Sequence, residues 1–68
     1  MTETHPLKKY RAERGITQAE LAGELKVWPL TVSRWERGER TPRPKDAKRI
    51  AVHTGISVGE LIEAGGDR

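Results

Sequence analysis

Basic side chains crowd one stretch of this 68-residue chain, and what they can do there is bind anions. Between residues 34 and 49 stand Arg34, Arg37, Arg40, Arg43, Lys45, Lys48 and Arg49, against Glu36, Glu39 and Asp46. From residue 50 onward the balance reverses, with Arg68 against Glu60, Glu63 and Asp67. The chain as a whole carries +3 at pH 7 and has a pI near 9.7, so the positive surplus is concentrated rather than spread. A concentrated basic patch is the footprint that phosphates attract. A solvated charged face has the same counts, and charge alone does not separate the two.

Other chemistries lack their residues. There is no cysteine, which excludes disulfides and thiolate metal sites. His5 and His53 are the only histidines, too few for a zinc site. No nucleophile–base pair and no glycine-rich phosphate loop occurs, and one small domain leaves no room beside its core for a buried cleft. The expectation is a protein that is not an enzyme and takes no metal, cofactor or small-molecule ligand. No apolar run approaches a membrane span or a signal peptide, and the composition fits a reducing cytoplasm.

Glycine and proline divide the chain into short helical blocks that must position those charges. The first is expected over about residues 6–13, with Pro6 in its opening turn, Leu7, Tyr10 and Arg11 on one face, and Gly15 as its C-terminal cap. Thr17-Gln18-Ala19-Glu20 is a capping box that opens a second helix, with Leu21, Ala22 and Leu25 inward. After a short turn at Lys26-Val27, a third helix starts near Trp28-Pro29, turns Val32 and Trp35 inward and ends before Gly38. Thr41-Pro42-Arg43-Pro44 reads as a loop. A fourth helix is expected over about residues 45–53, burying Ala47, Ile50 and Ala51, and Gly55 stops it. Ser57 caps a fifth, with Glu60 three residues on and Val58, Leu61 and Ile62 inward. Residues 1–5 read as a disordered arm and residues 65–68 as a flexible tail. No alternation of period two suggests a strand.

The informative unit is Thr17 to Gly38. Two short helices joined by so few residues cross steeply, and the second is left protruding. Its outer side carries Leu30, Thr31, Ser33, Arg34 and Arg37, and a protruding helix fits the major groove of B-DNA. Lys8, Lys9 and Arg14 read as plain surface charge, and His53 as a helix-end residue.

These residues resemble the Cro/C1-type (XRE-like) helix-turn-helix regulators of bacteria and their phages. The matching elements are Leu7-x-x-Tyr10-Arg11, Gly15 to Ala22, Thr31 to Gly38, Pro42, Ala47-x-x-Ile50-Ala51, and Gly55-Ile56-Ser57-Val58-x-x-Leu61. In order and spacing they cover about residues 6–64. The resemblance implies an all-α, compact five-helix bundle of the lambda-repressor-like kind, with its motif over about residues 17–37. It implies base-edge contacts by Leu30, Ser33, Arg34 and Trp28. Phosphate contacts are implied for Thr17, Gln18, Thr31, Arg37, Arg40, Thr41 and Arg43, and an internal ion pair for Arg11 with Glu36. The implied partner is duplex DNA carrying a palindromic operator, bound by a weak homodimer that DNA stabilises, in the cytoplasm and at the nucleoid.

Three departures from the family pattern stand out. Lys26 occupies a turn position where glycine is usual, at a cost of about 1 kcal/mol if its φ is positive. Trp28 stands where a small hydroxyl cap is usual, and Pro29 where a polar base reader is common. Proline has no N–H to donate, so readout moves toward Leu30, Ser33 and Arg34. Trp28 has several uses open to it: stacking on sugar, meeting a thymine methyl, covering the body, or meeting a protein. The leading functional expectation is a transcriptional regulator, Cro-like or a stand-alone repressor. The alternative is an antitoxin-like or adaptor module that anchors a protein partner through Trp28 and Leu30.

Overall fold

Pro6, Pro29 and Pro44 each stand at the start of a helix, where a residue with no N–H and a fixed φ costs nothing. The computed structural model describes residues 4–65 as five helices: α1 (Pro6–Arg14), α2 (Gln18–Leu25), α3 (Pro29–Glu36), α4 (Pro44–Thr54) and α5 (Val58–Gly65). There is no strand among the described residues. The all-α, five-helix expectation holds, with helix ends shifted by a residue. α4 starts at Pro44, the last residue of the expected loop.

The local signals act as the sequence suggested. Gly15 ends α1 in the left-handed region, φ 69°. Thr17 and Glu20 close a reciprocal capping box, the Glu20 N–H donating to Thr17 Oγ1 (3.0 Å) and the Thr17 N–H to Glu20 Oε1 (2.8 Å). Ser57 and Glu60 repeat it on α5, more loosely, at 3.1 and 3.3 Å. Lys26 ends α2 at φ 60°, ψ 43°, the only non-glycine residue with positive φ among those described. Its N–H donates back to the last turn of α2, and Arg49 reaches from α4 to donate to the Leu25 carbonyl (3.1 Å).

The core is one cluster: Leu7, Tyr10, Leu21, Ala22, Leu25, Val32, Trp35, Ala47, Ile50 and Leu61, with Ile16, Val27 and Ile56 packed against it. α2 packs on α3 and α4 on α5, while α1 bridges α3 and α5, which leaves one long side of α3 uncovered.

Three expectations are corrected. Val58 and Ile62, read as inward, are 37% and 42% exposed. α5 has eight residues and lies against α1 and α4, and within it only Leu61 is fully enclosed. Ala51 is half-buried rather than part of the core. His5, expected in a disordered arm, is buried, and its Nδ1 accepts the Leu7 N–H (3.1 Å) as the N-cap of α1. An imidazole acceptor can satisfy a helix-start N–H as a Ser or Asp oxygen does, a substitution the usual cap residues do not reveal. The rest of the expected arm and tail, residues 1–3 and 66–68, lies outside the described residues.

Candidate nucleic-acid interface

Val32 and Trp35 are buried to 0% and 3% exposure and lock the inner side of α3 to the body. With those two inward, helical spacing turns Leu30, Ser33, Arg34 and Arg37 away from the core. Arg34 and Arg37 are exposed, Leu30 is 54% exposed, and Thr31 and Ser33 are half-buried along the flank. Trp28, the N-cap residue, is 78% exposed and makes no side-chain cap hydrogen bond.

The chain after α3 folds back onto it. The N–H groups of Glu39 and Arg40 both donate to the Arg34 carbonyl, at 2.9 and 3.3 Å, and Gly38 makes the bend with φ 77°. The result is a surface depression of about 260 Å³ lined by Thr31, Arg34, Trp35, Arg40, Thr41, Arg43 and Asp46. It brings together five of the residues expected at DNA, three of them arginines with exposed side chains. Asp46, in the first turn of α4, is the one carboxylate in it, and the sequence had not marked it out.

Arg37 is placed differently. It pairs with Glu39 (Nε–Oε2 3.2 Å), both side chains being 54% exposed, and it lines a second depression beside His5, Lys9, Glu36 and Glu60. Such an exposed pair contributes little to stability and can exchange for a phosphate.

Behind the outer face a polar network sets the position of α3. Arg11 meets Glu36 with two hydrogen bonds, Nε to Oε2 (2.7 Å) and Nη2 to Oε1 (2.9 Å), and Nη1 donates to the Ile16 carbonyl (3.2 Å). The paired side chains are 17% and 4% exposed. Gln18 Nε2 donates to Glu36 Oε1 as well (2.9 Å), tying the start of α2 into the same cluster. Burial by itself would raise the Glu36 carboxyl. The hydrogen bonds from Arg11 and Gln18, with the charges of Arg11 and His5, outweigh it and hold the group below its ordinary range. The bond to Glu36 holds Arg11 protonated. Burial lowers His5, with Glu36 opposing.

The network bears on Gln18, whose expected role was at a phosphate. An amide nitrogen carries two N–H groups, and the bond to Glu36 orients the side chain while committing only one of them. Thr17 keeps its hydroxyl proton, since its oxygen acts as the cap acceptor. Arg49, His5 and the contact of His53 with Glu24 (2.7 Å) were missed, because each joins residues or roles that local pattern does not connect.

No group of acidic and histidine residues among those described could hold a metal ion. No helix among them is long and apolar enough to cross a membrane.

Comparison with known proteins gives two matches. A family model described as helix-turn-helix matches residues 7–61. The HTH-type transcriptional activator BcrR of Enterococcus faecalis is 30% identical over 56 residues, which is 82% of this chain and 28% of that protein. The chain thus spans little more than a quarter of that relative. No solved structure matches.

Proposed function

The chain belongs to the helix-turn-helix family of Cro/C1-type regulators, and from that premise we propose that it binds duplex DNA sequence-specifically through the major groove and regulates transcription. One observation carries the reading. The uncovered side of α3 and the loop behind it set Arg34, Arg40 and Arg43 around a single shallow depression, on a helix that the body holds from the other side only. Cationic side chains beside a protruding helix match a groove flanked by two phosphate strands.

Arg34 is the principal base reader, since an arginine on the outer face of such a helix reaches guanine O6 and N7 with two hydrogen bonds. Ser33, Leu30 and Trp28 complete the base-facing set. Thr17, Gln18, Thr31, Arg40, Thr41 and Arg43 hold the phosphates, and Arg37 joins them once it leaves Glu39. The protein acts as a weak dimer on a palindromic operator, in the bacterial cytoplasm at the nucleoid. Repression is the proposed sense, because occupying a promoter is sufficient for it, whereas activation needs a productive contact with polymerase. The relative named above is an activator, so a reporter carrying the selected site upstream of a promoter decides the sign.

Selection of bound duplexes from a random library, followed by titration across salt, tests the whole reading. A consensus with dyad symmetry and a logarithmic salt slope of several units supports it. Recovery of no consensus, with binding insensitive to salt, defeats it and favours the use of Trp28 and Leu30 on a protein partner.

A further inference from the structure

The first turn of α3, the end of such a helix that enters the groove, carries almost no hydrogen-bonding side chain. Trp28 is 78% exposed and Leu30 54% exposed, while Pro29 between them lacks even a backbone N–H. Two exposed apolar side chains of this size on either side of one helix-start residue form the kind of patch that marks an interaction site. The indole N–H is the one side-chain donor the three positions offer. Arg34, one helical turn on from Leu30, lines with Thr31, Arg40 and Arg43 the depression on the same helix, so a partner that covers the pair and reaches along α3 is apolar over Trp28 and Leu30 and anionic beyond them. A protein partner with those properties would need an acidic stretch beside a greasy one. The major groove over thymine has both by construction, with phosphates on either side and a 5-methyl group on the floor.

We infer that Trp28 and Leu30 are specificity-determining residues that read thymine through its 5-methyl group, so that the operator half-site pairs a guanine under Arg34 with one or two thymines under the start of α3. The inference rests on the DNA-binding reading above and adds to it the base that the apolar positions select. Methyl contact gives discrimination without a hydrogen bond. It tells thymine from cytosine by the methyl itself, and it leaves adenine and guanine to be excluded by their bare, polar groove edge.

The test alters the DNA, so the protein stays intact. In a duplex selected from the random library, each thymine of a half-site is replaced in turn by deoxyuridine, which removes the methyl and nothing else from the groove. At one or two positions the affinity of the full chain is expected to fall about fourfold per methyl, the factor that follows from burying one such group. At the other thymines it is expected to stay unchanged. Against Trp28→Ala or Leu30→Ala, whose side chains are exposed and not part of the core, the same replacement is expected to lose its effect at the position that residue covers. Specific binding that ignores every thymine-to-uracil exchange overturns this inference and leaves the DNA reading standing. A methyl effect that survives both alanine variants also overturns it, by assigning the contact elsewhere. Failure to select any duplex removes both together.

Discussion

At the scale of single residues, Arg34 and Arg40 share one depression, and the proposed function assigns them different work. Arg34 projects from α3, and Arg40 from the loop folded onto the end of that helix. Arg34→Ala is expected to cost about 1–3 kcal/mol of specific affinity and to relax preference at one base pair per half-site. Arg40→Ala is expected to weaken specific and non-specific binding alike and to lower the salt slope by about one unit. Paired titrations on matched and scrambled duplexes separate the two, and identical behaviour of the two variants would show that the division of labour is wrong. Arg11 lies behind the face, where removing its side chain takes the charged partner from the 4%-exposed Glu36 carboxylate and leaves it the Gln18 hydrogen bond. Losing one partner of a buried pair costs about 3–5 kcal/mol, comparable with the whole stability of so small a domain. Arg11→Ala should therefore be largely unfolded by circular dichroism at 37 °C, and a melting temperature close to the parent's would refute a structural role for the pair.

At the scale of elements, two helix ends carry measurable consequences. Lys26 closes α2 at φ 60°, where glycine is free of the steric cost that a β-carbon brings. Lys26→Gly should stabilise the domain by about 1 kcal/mol, raising its melting temperature by roughly 4–8 °C. No rise on calorimetry would mean that the lysine gains something there which offsets its backbone. The start of α1 is sensitive to pH. His5 caps it as a neutral acceptor, and burial lowers its pKa from the ordinary 6.5. The unfolded chain therefore takes up this proton first, so the stability from His5 is complete above pH 6.5 and is lost as the pH falls through that value toward the lowered one. The depressed carboxyl of Glu36 adds a second loss as the pH falls below its ordinary 4.5. Melting temperature should be flat from pH 8 to 7, decline below 6.5 and decline further below 4.5. His5→Asn keeps a cap acceptor without the titration and should flatten the upper part of that decline. If the variant declines in parallel with the parent between pH 7 and 5, another group is responsible.

At the scale of the whole molecule, the proposed function gives one recognition helix, on a body about 27 Å across, only half a site to read. The apolar material left for a second copy is Val52, 85% exposed, with the part-exposed Val58 and Ile62. This is far less than a permanent dimer interface contains. The free protein is expected to sediment as a monomer or weak dimer at micromolar concentration. It should load two copies onto a palindrome whose half-sites lie about one helical turn, near 34 Å, apart. One copy protecting an unrepeated sequence in a footprint would overturn that assembly.

Much of this was open to reading along the chain because it depends on residues close in sequence. The capping box at Thr17 and Glu20, the glycines at the helix ends, the prolines in first turns and the inward pair Val32 and Trp35 act over one turn of helix, so type and spacing alone determined them. The crowding of arginines after residue 33 is likewise a property of the sequence. Packing decided the rest. Val58 and Ile62 carry the pattern of an inward face, but α5 meets too little of the body to bury them, and no local pattern states how much surface a neighbour will cover. Gln18 is anchored to a carboxylate 18 positions away, Arg49 to a carbonyl 24 positions away, and Arg40 stands beside Arg34 because a backbone turn returns it there. These contacts exist only after the helices have crossed, since the chain must close long loops before residues so far apart in sequence can meet.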